Sequence, residues 1–115
     1  MNYLTIPGLI ASLLFAPVQA SEIDVETQFL RINYRFEVAG YCGLVNEQVA
    51  RGFHIERKQL LEQQAMSQKE QETLRGKAWQ MAHKEWLNRG LGGFKRWCRN
   101  EGSDYAQNFV NLGEQ

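Results

Sequence analysis

Glu56 and Glu85 are the residues of this chain best placed to do chemistry. Read as helices, Val45, Val49, Phe53 and Leu60 form one apolar stripe with Glu56 in its middle. Leu74, Ala78, Trp79, Met81, Ala82 and Trp86 form another that also takes in Arg75, Glu85 and Arg89. A charged group inside a core-facing stripe needs a partner, because burying it unpaired is costly. Glu85 and Arg89 have i,i+4 spacing in the favoured order, and Glu56 can meet Arg75 or Arg89 across a helix interface. An inward network of Glu56, Arg75, Glu85 and Arg89 is therefore the plainer reading. The alternative is a polar cleft, lined also by Trp86, in which Glu56 and Glu85 perform general acid–base chemistry as a small hydrolase or lyase. Nothing in the sequence fixes their separation, so no catalytic residue is assigned.

The second constellation is Arg89-Gly90-Leu91-Gly92-Gly93-Phe94-Lys95-Arg96-Trp97. A glycine-rich turn entering a helical segment can present backbone N–H groups to an anion, and Lys95 and Arg96 add charge. Arg89, Gly92, Gly93, Lys95 and Arg96 are the candidate anion- or partner-binding residues. The run is neither a dinucleotide fingerprint nor a P-loop. Gly90 as a helix C-cap, with the later glycines as turn residues, is the structural reading beside it. Trp79, Trp86 and Trp97 all lie in this basic region. Trp79 and Trp86, seven residues apart, are expected in the core.

Charge distribution supports a local site. The 115 residues carry 13 Lys+Arg and 13 Asp+Glu. That neutrality argues against a polycation acting on nucleic acid. Between Arg75 and Asn100, however, seven residues are basic and only Glu85 is acidic. The flanking segments are both net acidic.

Other chemistries find no support. His54 and His83 sit opposite the apolar stripes and read as surface residues, and neither belongs to a metal-binding motif. No cofactor or metal is expected. Cys42 and Cys98 read as one structural disulfide, since there is no C-x-x-C and no cluster at ligand spacing.

These residues need elements to hold them. Met1–Ala20 has no charged side chain, an apolar run from Leu9 to Ala16 and a small-residue pattern at Val18-Gln19-Ala20. It reads as a signal peptide cut after Ala20, although its start lacks Lys or Arg. Residues 21–115 would then form a single periplasmic or extracellular domain, in which a disulfide can form. No run reaches the roughly 18 apolar residues of a spanning helix.

Ser67 and Glu70 make a capping box, so a helix is predicted from about Gln68 to Arg89, stopping at the glycines. Another is predicted from about Leu44 to Gln64. Residues 24–41 fit both a strand, through Leu30, Ile32, Tyr34, Phe36 and Val38, and a helix, through Val25, Phe29, Ile32, Phe36 and Ala39. A strand needs partners and no second alternating run exists, which favours a helix. Apolar on two faces, it would sit centrally. Gly40 and Gly43, beside Cys42, either let the disulfide's backbones approach closely or break that helix. A short helix from about Asp104 to Leu112, capped by Ser103, completes the chain, with one or two turns between Phe94 and Asn100. The expected architecture is all-α: three to four helices stapled by one disulfide. The leading function is a non-enzymatic binding protein whose partner is another protein or an anionic envelope component. A structural subunit of an envelope or secretion assembly, using the two-sided first helix as its interface, is a further alternative.

Overall fold

The structure is a computed structural model that describes residues 24–115. The signal-peptide reading therefore lies outside the described residues. Within them the chain is all-α. Helix α1 is Val25–Tyr41, α2 is Glu47–Gln63, α3 is Gln68–Asn88, α4 is Gly90–Trp97 and α5 is Ser103–Gly113. A π-helical turn, Cys98–Gly102, joins the last two.

Local chemistry sets the helix starts. The Asp24 side chain accepts the Thr27 N–H at 2.7 Å, and Ser67 accepts the Glu70 N–H at 3.1 Å. Asn46 does the same for Val49 at 2.9 Å, so α2 starts at Glu47 and not near Leu44. Val45, outside the helix, is exposed. Ser103 does not act as a cap, because the chain is already helical when it reaches α5. Helix α1 ends in a Schellman motif. Gly43, at φ +69°, donates to Gly40, and the Leu44 N–H reaches the Ala39 carbonyl.

The alternating pattern in 24–41 resolves into the two faces of α1. Phe29, Ile32 and Ala39 are buried with Val49, Phe53 and Leu60 of α2 and with Ala106 and Phe109 of α5. The Phe36 and Phe53 rings stack at 4.0 Å. On the other side, Val38 is buried with Ala82 of α3 and Trp97 of α4, and Tyr34 and Tyr41 pack against them. Helices α2 and α3 flank α1 and, among the described residues, do not touch each other. Helices α1 and α3 run in the same direction, with Glu26 beside Glu70 at one end and Tyr41 beside His83 at the other.

Cys42 and Cys98 form the expected disulfide. It ties the end of α1 to the π-helical turn. The close approach there depends on Gly102 and not on Gly40 or Gly43. A Cβ at Gly102 would lie 2.8 Å from the Cys42 Sγ, whereas one at Gly40 or Gly43 meets nothing within 4 Å. A second close approach joins α2 to α5. A Cβ on Gly52 would overlap the Phe109 carbonyl, so that crossing admits only glycine.

Candidate functional site

The glycine run does not end the helical path. Helix α3 stops at Asn88, Arg89 forms a one-residue joint, and α4 begins at Gly90. A single residue suffices because Arg89 keeps helical dihedrals while its N–H falls back to the Trp86 carbonyl at 3.4 Å. Gly92 takes φ +88°, a conformation natural to glycine. The turn therefore folds α4 onto the end of α1, where Trp97 and Cys98 anchor it.

This arrangement shapes an open concavity of about 670 Å³. Arg89, Gly92, Gly93, Lys95 and Arg96 all line it, together with Glu85, Asn88 and Arg99. Arg99 is the member that spacing alone did not single out. It joins Lys95 and Arg96 because the backbone stays helical past Trp97 into the π-turn. Lys95, Arg96 and Arg99 are exposed and form no ion pair among the described residues.

Arg89 is held differently. Its guanidinium donates to Glu85 at 2.5 Å, with both side chains half-buried, and stands 5.1 Å from the centre of the Trp97 ring. Ion pair and ring together fix its direction. Four cations thus meet one carboxylate, and that carboxylate is already committed to Arg89.

The rest of the inward network is dispersed. Glu56 lies near Arg35 of α1, and not near Arg75 or Arg89. The reason is topological: α2 and α3 sit on opposite flanks of α1. Burial raises the Glu56 carboxyl above its ordinary range, and the Arg35 charge partly offsets this. Arg75 is half-buried without an ion pair among the described residues. Glu56 is absent from the concavity that Glu85 lines. The two carboxylates therefore share no cleft, which is what joint acid–base chemistry would need. Both apolar faces of α1 are covered within the domain, so neither is a free interface.

Three aromatic assignments change. Trp97 is fully buried and Trp86 half-buried, but Trp79 is 47% exposed. Trp79 lies at the margin of the stripe, where α2 does not reach to cover it. His83 is not a free surface residue: its Nδ1 accepts from, or donates to, the Tyr41 hydroxyl at 2.6 Å. The Trp79 and His83 rings stack at 4.8 Å, the Tyr41 and Trp86 rings at 5.4 Å, and Phe94 lies 4.8 Å from Trp86. A chain of rings thus links α3, α1 and α4. The i,i+4 spacing of Trp79 and His83 was its one sign in the sequence. His54 stays exposed, 3.2 Å from the Arg57 guanidinium. Among the described residues there is no cluster of three or more His, Cys, Asp or Glu able to hold a metal, and no helix long and apolar enough to cross a membrane.

Comparison with known proteins finds no family model, curated protein or solved structure that matches this chain.

Proposed function

We propose that this chain is an exported, non-enzymatic binding domain that captures an anionic group, carried by a protein or an envelope component, in the basic concavity at the α3–α4 joint. The observation that carries the reading is the convergence of Lys95, Arg96 and Arg99, none ion-paired among the described residues, beside a fixed Arg89. Helical packing does not require three exposed cations on one concave surface, and like charges repel. An anionic partner relieves that repulsion. Gly92 and Gly93 keep the lining low, so a ligand can approach the backbone. The site is open and wet, which suits charge recognition and a salt-sensitive affinity.

The test is capture from an envelope fraction by the purified, disulfide-bonded chain. Reversing both charges with Lys95→Glu and Arg96→Glu should abolish capture and leave the helical circular dichroism unchanged. Raising salt from about 50 to 500 mM should weaken capture by the wild type, because a Debye length near 10 Å at 0.1 M shrinks several-fold. Unaltered capture by the double variant would overturn the reading. Export has its own check: the chain recovered from outside the cytoplasm should begin at Ser21 by mass spectrometry.

A further inference from the structure

The open end of the ring chain forms a site of opposite polarity. Glu37, Gly40, Tyr41 and Trp79 line a concavity of about 300 Å³. Trp79 is already stacked on His83 at an interplanar angle of 8°, which orients its ring. Tyr41 is fixed twice, by its hydroxyl on His83 and by its ring on Trp86. Glu37, one helical turn before Tyr41, is half-buried and has no ion pair or hydrogen bond among the described residues.

Burial lifts the Glu37 carboxyl above its ordinary range. Burial first, and the Glu37 charge second, raise the Tyr41 phenol. The lining therefore offers two pre-oriented aromatic rings and one carboxylate, and no cationic side chain. Aromatic faces carry negative potential and attract cations. A carboxylate left without a partner in such a setting calls for positive charge. An anion would be repelled here. A neutral sugar would find a stacking surface but few directed donors.

We propose that the Glu37–Tyr41–Trp79 groove binds an organic ammonium group. The rings contact the carbons next to nitrogen, and Glu37 balances the charge. A choline-type quaternary headgroup and a lysine-type primary ammonium share this chemistry. The quaternary ion depends more on the rings, and the primary ion can also donate a hydrogen bond to Glu37. The site is independent of the basic concavity, with which it shares no lining residue.

The full, disulfide-bonded chain, labelled with ¹⁵N, gives one indole N–H signal for each tryptophan, and the signal lost in Trp79→Phe is that of Trp79. Titration with choline, n-butylammonium and glucose then separates the possibilities. A saturable shift of the Trp79 signal with choline or n-butylammonium is expected, at roughly millimolar concentration. The tighter of the two ions identifies the source of the ammonium. Glu37→Gln should weaken binding about tenfold. Gly40→Leu should abolish it, because Gly40 lines the groove and a Cβ there meets nothing within 4 Å. Leucine also suits the helix, so this variant fills the groove without disturbing the fold. Circular dichroism of each variant is the folding control. The proposal is overturned if neither ammonium gives a saturable shift, if Glu37→Gln binds as tightly as the wild type, or if glucose binds as well as the ions.

Discussion

Glu56 illustrates how a charge in an apolar stripe can be explained without catalysis. It is half-buried on α2, with Arg35 as its nearest opposite charge, and burial raises its carboxyl despite that arginine. The sign of the pH effect follows. A raised folded value means the native state binds the proton more tightly than the unfolded chain. Protonation of Glu56 therefore stabilises the fold, and stability falls as the pH rises from the ordinary glutamate value of 4.5 through the raised one. Glu56→Gln should accordingly match or exceed the wild-type Tm at pH 7, and the difference should shrink at about pH 4. A variant equally destabilised at both pH values would show that Glu56 acts through a specific contact and not through its charge. The Glu26–Glu70 pair gives a companion test. The hydrogen bond to Glu70, then the repulsion between the two groups, raises the Glu26 carboxyl. Glu70→Gln removes the repulsion, so an NMR titration should find the Glu26 value lower than in the wild type.

Helix crossings supply a test in which two identical substitutions have opposite signs. Ala exceeds Gly in intrinsic helix preference by about 1 kcal/mol. Gly76, exposed on α3, has nothing within 4 Å of an added Cβ, so Gly76→Ala should stabilise by roughly 0.5–1 kcal/mol. At Gly52 the added Cβ would fall 1.8 Å from the Phe109 carbonyl oxygen. Backbone cannot yield as a flexible side chain does, so Gly52→Ala should cost about 2–3 kcal/mol or more despite its better propensity. Urea midpoints of both variants decide the matter, and a stable Gly52→Ala would mean that α2 and α5 are not locked. This crossing was not legible in the sequence, because a glycine within a helix looks the same whether it faces solvent or a neighbour's backbone. Elements with local signals were legible. Ser67 and Glu70 marked the start of α3, and the double stripe of α1 correctly implied two covered faces. Asn46 gave a local signal too, but Val45 and Leu44 drew the expected boundary outward. Gly90–Gly93 was misread as a stop because glycine permits a break without requiring one. The basic residues of the candidate site were readable as a charge cluster. That Arg99 joins them, and that Trp79 is left uncovered, depended on the tertiary arrangement.

At the scale of the whole molecule, the core divides between two sides of α1, and the disulfide lies on only one of them. Phe29, Ile32, Phe53 and Phe109 hold α2 and α5 to α1 with no covalent help. Trp97, Val38 and Ala82 hold α4 and α3 on the other side, where Cys42 and Cys98 are also packed. The bridge spans a sequence separation of 56, for which the chain-entropy account gives about 4 kcal/mol. A domain of this size loses about 4–8 °C of Tm per kcal/mol, so reduction should lower Tm by roughly 15–30 °C. The loss should not be felt evenly. Helix α4 is short and its residues Lys95 and Arg96 face the basic concavity, so its placement rests on Trp97 and the adjoining Cys98. Reduction at low temperature should therefore alter the near-ultraviolet signal of the tryptophans and weaken anion capture while most far-ultraviolet helicity persists. Melting curves with and without a phosphine reductant, followed in both spectral regions, measure this directly. A Tm change under about 5 °C on reduction would mean that side-chain packing holds α4 without the bridge.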